Sequence, residues 1–262
     1  MIRSLAHVSD LHMGRDRRTS AAVHRLCAAL VAAEVQAVAV TGDLTHRGRA
    51  DELRAFEDAF APLLEAGRVV VVPGNHDRAG DDVGAGLMVG ARVGVADLPG
   101  VHLVRLDSTA PHNRSLVAAH GALSLRDLRD LDAALDDAPP GSLSVVMLHH
   151  HVLPLPPEDL AETLSGWLGW PNAAELTAGA DLLAHARGRC DLVLHGHRHV
   201  PALAVPFAGD ARPLAVVNAG CSPDLGRARL FLHEGGRLVR TAWIDAEEPA
   251  RAGGIDRSAH AA

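Results

Sequence analysis

Asp10-Leu11-His12 and Gly196-His197-Arg198-His199 lie near opposite ends of the chain, with Thr41-Gly42-Asp43 and Gly74-Asn75-His76-Asp77 between them. Each run follows an apolar stretch, so each falls where a strand ends and a loop begins, the place where open α/β sheets hold ligands. The residue types are those of a metal site. Asp10 and His12 stand two apart, and on an extended backbone both side chains would point to one side and grip one cation. Asp43 adds a carboxylate, whose two oxygens can bridge two ions as imidazole does not. Asn75 offers a neutral amide oxygen, and Pro73 with Gly74 shapes a tight loop that presents both Asn75 and His76. His197 and His199 are again two apart, with His195 of the same parity as a lower-ranked candidate. His149, His150 and His151 follow an aliphatic strand, where alternation lets only every second side chain face the same way. His149, nearest the strand end, is the expected ligand; the other two read as loop residues facing solvent or the cleft.

Together these are two Asp, one Asn and four His from five strand ends, a mixed nitrogen and oxygen set suited to Mn, Fe or Zn and poorly suited to Ca or Mg alone. Rival constellations are missing from the sequence: no Gly-x-Ser-x-Gly elbow, no phosphate loop ending in Gly-Lys-Ser/Thr and no dinucleotide glycine pattern after the first strand.

Alternating strand and helix patterns must position these residues. Arg3 to Ser9 reads as a strand and Thr19 to Val35 as a helix; Gln36 to Thr41 and Arg68 to Val72 are valine-rich strands flanking a helix from Asp51 to Leu64, which predicts βαβ units and a buried sheet. Arg78 to Gly100 reads as loops around a short helix. Strands at Val101 to Asp107 and Ser142 to Leu148 flank a helix over Ser124 to Leu135 opened by a Ser cap. His151 to Pro171 is rich in proline and reads as a structured loop over the site, with Trp167 and Trp170 as candidates for stacking on a base. Asn172 and Glu175 form a capping box for a helix to Ala186. Strands then follow at Asp191 to Leu194, Ala202 to Val205, Leu214 to Asn218, Ala228 to His233 and Leu238 to Ile244, and this late shift to all-β predicts a second sheet. One α/β domain over residues 1–245 and a frayed tail over 246–262 are expected.

Composition narrows the function. A formal net charge of -7 over 262 residues leaves no broad basic face, so general nucleic-acid binding is not expected. Cys27, Cys190 and Cys221 are odd in number and widely spaced, which predicts three buried thiols in a reducing, cytoplasmic setting. The first ten residues read as a strand rather than a signal peptide, and no apolar run approaches the roughly 20 residues of a membrane span. Aromatic residues make up 3% with no Tyr, which leaves Val, Leu and Ala to fill the core, whereas His is frequent at 17.

On these runs the chain resembles the calcineurin-like metallophosphoesterase superfamily, whose five signature blocks (Asp-x-His, Gly-Asp, Gly-Asn-His-Asp/Glu, a strand-end His, Gly-His-x-His) all occur here in order. Within it, the chain is most similar to the class III cyclic-nucleotide phosphodiesterases. That likeness rests on Leu148-His149-His150-His151 followed by Leu153-Pro154, on Leu106-Asp107-Ser108, on His120-Gly121-Ala122-Leu123-Ser124 and on Asn172-Ala173-Ala174-Glu175-Leu176. The resemblance implies a four-layer αββα sandwich of two mixed β-sheets flanked by helices. It implies that Asp10, His12 and His199 hold a first metal and Asn75, His149 and His197 a second, with Asp43 bridging. His76, not a ligand in the family, would face the scissile phosphate, and His12, Asp43, Asn75 and His199 would also lie against it.

Two cations roughly 3.5 to 4 Å apart would share a hydroxide and clamp a phosphodiester for in-line attack. His76 would protonate the departing alkoxide or stabilise its charge, with Asp77 orienting its ring. The implied substrate is a small phosphodiester, a 3',5'- or 2',3'-cyclic nucleotide. Phosphomonoesters, glycerophosphodiesters, nucleic-acid ends and a non-catalytic scaffold are the alternatives, and a homodimer is compatible with the sequence.

Overall fold

The computed structural model describes residues 1–115, 119–155 and 176–246. Its strands are apolar on both faces, the pattern of a sheet covered on two sides. In β1 (Arg3–Val8) Leu5 points to one side and Ala6 and Val8 to the other; in β2 (Ala37–Thr41) Ala37 and Ala39 oppose Val38 and Val40. Both strands run parallel with β3 (Val69–Val72). The crossovers are α1 (Arg17–Ala32), capped by the Asp16 carboxylate on the Thr19 amide, and α2 (Ala50–Glu65). Leu26 and Leu30 of α1 and Phe56 and Phe60 of α2 pack on the Val38 and Val40 side.

A second sheet repeats this logic. α3 (Gly84–Leu87) is a single turn before β4 (Val93–Leu98) and β5 (Val101–Leu106). There follow α4 (Leu125–Asp136), β6 (Leu143–Met147), α5 (Gly179–Ala186), β7 (Leu192–His195), β8 (Ala202–Ala204) and β9 (Ala215–Asn218). The order across this sheet is β4-β5-β6-β7-β9-β8, with antiparallel strands only at its two edges. After the turn α6 (Ser222–Leu225), β10 (Arg227–Glu234) and β11 (Arg237–Asp245) return to the first sheet, giving β11-β10-β1-β2-β3. Leu143, Val145 and Met147 of β6 meet Leu5, Ala39 and Phe231 between the sheets, while Val146 packs outward with Leu131 and Leu182 of the helices. Two mixed sheets flanked by helices are thus the α/β architecture expected.

Three expectations change. Residues 93–98 form an edge strand where loops were expected, because Gly94 offers no side chain and Val95 is apolar on the exposed face, which blurs the apolar-polar alternation. The four C-terminal strands do not make a sheet of their own: β8 and β9 finish one sheet and β10 and β11 the other, each pair completing an edge. Leu176 to Ala178 are not helical and α5 begins only at Gly179; the capping-box pair Asn172 and Glu175, Trp167, Trp170 and the tail beyond Ala246 lie outside the described residues. Among the described residues no helix is long and apolar enough to cross a membrane. Cys27, Cys190 and Cys221 are free and buried, as expected.

Candidate metal centre

The candidate residues converge at the carboxyl ends of the strands, in the mouth between the two sheets. Asp10 and His12 follow β1, Asp43 follows β2 and Asn75 and His76 follow β3; His149 follows β6 and His197 and His199 follow β7. Backbone pairing continues past the strand ends and ties the loops to one another. Asp10 N–H donates to the Gly42 carbonyl (3.2 Å), His12 N–H to Asp43 (2.9 Å), and across the second sheet Gly196 N–H to His149 (3.0 Å).

The extended geometry expected for Asp10 and His12 is not what aims them. Asp10 (φ 55°), His12 (φ 45°), Asp43 (φ 51°) and His197 (φ 69°) all adopt the left-handed conformation, and they are four of the six non-glycine residues that do so among those described. That conformation costs on the order of 1–3 kcal/mol per residue and clusters where surrounding structure enforces it for function. His149 does follow strand alternation, continuing the inward series Leu143, Val145, Met147.

Asp43 is the centre of the cluster. His149 Nε2 is 3.5 Å from its Oδ1, and His12 Nε2 is 3.9 Å from its Oδ2. On the His149 side, the Asn75 Oδ1 lies 3.0 Å from His149 Nε2 and 3.1 Å from His197 Nδ1. On the His12 side, His199 Nε2 is 3.3 Å from His12 Nε2 and 3.7 Å from Asp10 Oδ1. Asp10, His12 and His199 form one group with ligand atoms within 4.8 Å of one another, and Asp10, Asp43 and His149 another. Glycine is required between them: a Cβ on Gly42 would lie 2.6 Å from His149 Nδ1, one on Gly196 2.6 Å from Asp10 Oδ2, and one on Gly74 would run into the Asp43 carboxylate. Imidazole nitrogens and amide and carboxylate oxygens facing one carboxylate from both sides fit a pair of transition-metal ions.

Electrostatics suit that use. Burial presses the His12 imidazole down to about 3, with Asp43 opposing, and burial likewise holds His197 well below its ordinary value, so both stay neutral and keep a lone pair for a metal. Burial would raise the Asp43 carboxyl, but His149, His76 and His12 around it hold it below the usual range and ionised. Burial also disfavours the His76 imidazolium, yet the Asp43 carboxylate and the His46 carbonyl outweigh it and raise its pKa.

Supporting contacts fix tautomers and loops. His149 Nδ1–H donates to the Thr41 carbonyl (2.8 Å), which leaves the Nε2 lone pair aimed at Asn75 and Asp43. Asp77 does not orient His76 as expected: its buried carboxylate accepts from Leu44 N–H, Thr45 N–H, Thr45 O–H and Gly74 N–H, stapling the Asp43 loop to the Asn75 loop. The His76 ring is held instead by its Nδ1–H donating 2.7 Å to the carbonyl of His46, a residue that sequence reasoning missed although it stands three positions after Asp43 in the same loop.

His150 and His151 are buried rather than facing solvent or a cleft. His150 Nε2–H donates to the Ala119 carbonyl (2.8 Å), so its Nδ1 accepts from Ser108 O–H (2.8 Å), and Gly121 passes so close that a Cβ there would lie 2.5 Å from the ring. His151 stacks on His197 at 5.6 Å, and His195 is buried with its Nδ1 3.2 Å from the Gly196 carbonyl. His150→Ala should therefore keep the full metal content and lower stability by about 3 kcal/mol, from a buried cavity and two stranded polar groups. Denaturant unfolding beside metal analysis checks this; metal lost with His150→Ala but kept with His149→Ala would reverse the assignment.

The donor set is that of a metal-dependent phosphoester hydrolase, and the family to which the chain belongs is one of such enzymes. The chain belongs to the calcineurin-like phosphoesterase family, whose profile matches residues 3–201. A dimetal phosphatase from Danio rerio has the same fold (TM-score 0.57, 14% identity, covering 94% of this chain and 99% of that one). So does a purple acid phosphatase from yellow lupin seeds (TM-score 0.56, 11% identity, 94% of this chain), although this chain spans only 54% of its length. The anchor in the inner membrane complex of Plasmodium is also similar (TM-score 0.53, 11% identity, 95% and 90% covered). At such identities these likenesses establish fold alone, and fold does not fix activity. No curated protein matches the chain in sequence.

Proposed function

We propose that the chain is a dimetal-dependent phosphodiesterase that hydrolyses cyclic nucleotides, 3',5' or 2',3'. The observation that carries this reading is Asp43, whose two oxygens face separate nitrogen donors, His149 on one side and His12 on the other. Asp10, His12 and His199 would hold one ion and Asn75, His149 and His197 the other, with Asp43 shared by the two groups, and Mn, Fe or Zn are the ions such donors take. When bound, the ions supply Lewis acidity that brings water deprotonation towards neutral pH and draws charge from the phosphoryl oxygens.

The chain's own residues do the rest. His12, Asp43, Asn75, His76 and His199 would lie against the phosphoryl group. His76 Nε2 stands 4.0 Å from Asp43 Oδ2 while its Nδ1–H is engaged by the His46 carbonyl, so its remaining proton is available to the departing alkoxide. Ribose alkoxides are poor leaving groups, and a positioned acid is what their departure needs.

The cyclic-nucleotide choice is supported by the runs that resemble the class III enzymes. Ser108, Ala119 and Gly121 gather on His150, immediately beside His149. The free, buried thiols agree with a cytoplasmic setting. Because the Danio rerio and lupin proteins are described as phosphatases, monoester hydrolysis is the second reading. The test is purified chain with added manganese on bis-p-nitrophenyl phosphate, p-nitrophenyl phosphate and 3',5'- and 2',3'-cyclic nucleotides. Preference for the diester and turnover of a cyclic nucleotide are expected; preference for the monoester would favour the second reading, and no turnover of any would favour a scaffold.

A further inference from the structure

The end of the sandwich away from the metal centre holds a second group of polar side chains without partners. β1 starts there at Arg3 and reaches the metal centre after Val8, so the two places lie roughly 20 Å apart. Arg3 stands opposite His233 of β10 in the antiparallel ladder, and both share the face of Leu5 and Phe231, which looks into the space between the sheets. With Met1, Gly100, Gly141 and Gly235 they line a cavity of about 210 Å³. Among the described residues the Arg3 guanidinium makes no ion pair and no hydrogen bond. It is nonetheless held in place, lying along the β4–β5 turn so closely that a Cβ on Gly100 would be 2.8 Å from its Cδ and 3.2 Å from a terminal nitrogen. His233 is 1% exposed, and its Nε2 is buried with no hydrogen-bond partner. Burial, and then the charge of Arg3, hold the imidazole below its ordinary value and so neutral, with one N–H to give. The nearby carboxylates are engaged elsewhere: Asp191 accepts from Arg212 (2.8 and 2.7 Å) and from Ser144 N–H (2.8 Å), and Glu234 accepts from the Met1 amino group (2.6 Å). A guanidinium and a buried imidazole left unpartnered beside a cavity call for an occupant that brings charged oxygens.

We propose that this cavity is a second ligand site, separate from the metal centre, which takes an oxyanion carried on an apolar organic body. The planar fork of Arg3 matches two oxygens of a phosphate or a carboxylate, and the His233 ring adds a neutral donor. The body has a place to go. A larger cavity of about 710 Å³ shares Gly141 and Gly235 with the first, and Pro139, Pro140, Val205 and Leu238 give it an apolar wall. A Cβ on Gly141 or on Gly235 would meet nothing within 4 Å, so the space beside both turns is open. The volume is that of a site for a small organic molecule. Phosphate and carboxylate present the same pair of charged oxygens to Arg3, so the head group is set by its chemistry as an oxyanion. None of this recognition involves a metal ligand, and the site stands whether or not the dimetal reading does.

The experiment titrates the zinc-loaded chain, which is diamagnetic, with phenylphosphonate and with benzoate and follows the His233 ring signals and the Gly141 and Gly235 amides by nuclear magnetic resonance. Phenylphosphonate carries no ester to hydrolyse, and each probe joins an oxyanion to an apolar ring. Saturable shifts at these three residues are expected with at least one probe. Shifts with phenylphosphonate alone assign the head group to the phosphate class, with benzoate alone to the carboxylates, and with both to either. Arg3→Gln, which removes the charge and the fork, should weaken the binding about tenfold to a hundredfold, the worth of a charge-assisted hydrogen bond, and Arg3→Lys, which keeps the charge, should weaken it less. Amide signals away from the cavity show that both variants keep the fold, and Arg3→Lys serves alone if Arg3→Gln does not. Absence of shifts with both probes would overturn the proposal. So would shifts confined to the strand ends of the metal centre, or binding as tight in the Arg3 variants as in the unmutated chain, which would mark an adventitious surface contact.

Discussion

Asp43→Asn is expected to empty both halves of the metal centre and lower phosphodiester turnover about a thousandfold. The amide is neutral and offers one oxygen where the carboxylate offers two, so neither the His149 side nor the His12 side retains its shared anionic donor. A factor of a thousand corresponds to about 4 kcal/mol of transition-state stabilisation, the size of effect seen when one preorganised electrostatic group is removed. The fold should survive, because an amide oxygen can still accept the His76 N–H that Asp43 Oδ1 accepts at 2.9 Å. Metal analysis after dialysis, with circular dichroism on the same sample, checks all of this. Two ions per chain with near-normal turnover would remove Asp43 from the bridging position.

The second large effect is on the leaving group. His76→Ala should keep both ions and lose about a hundredfold to a thousandfold in kcat on cyclic nucleotides, the range for a positioned general acid, but only about tenfold on bis-p-nitrophenyl phosphate. A nitrophenolate departs without a proton and a ribose alkoxide does not. Because the acid form of His76 is favoured in the folded site, kcat on cyclic nucleotides should decline as pH rises above its raised pKa, and that limb should be absent for the nitrophenyl diester. Equal losses on the two substrates would reject the acid role.

What could be read from the sequence were the groups whose meaning is local. Asp10, His12, Asp43, Asn75, His149, His197 and His199 each stand directly after a valine- or leucine-rich strand, and strand ends converge in any sheet of this kind. What could not be read was how they are aimed. The left-handed backbone at Asp10, His12, Asp43 and His197 is accompanied by pairing between loops far apart in the chain, such as His12 N–H on the Asp43 carbonyl, so the side chains are brought together by loop contacts that alternation along a strand does not encode. Asp77 and His150 were misjudged for a related cause: their partners, Thr45 and Gly74 for one, Ser108 and Ala119 for the other, come from separate loops whose approach no local pattern encodes. His46 carried a signal, a histidine three residues past Asp43, but only its carbonyl on His76 Nδ1–H gives that spacing meaning.

The central claim, that two ions share the Asp43 carboxylate, is tested most directly by equilibrium dialysis of the purified chain against Mn(II), with electron paramagnetic resonance on the loaded protein. Two ions per chain, showing the exchange coupling of a pair that shares a carboxylate, are predicted. One ion per chain, or two that are magnetically independent, would contradict it.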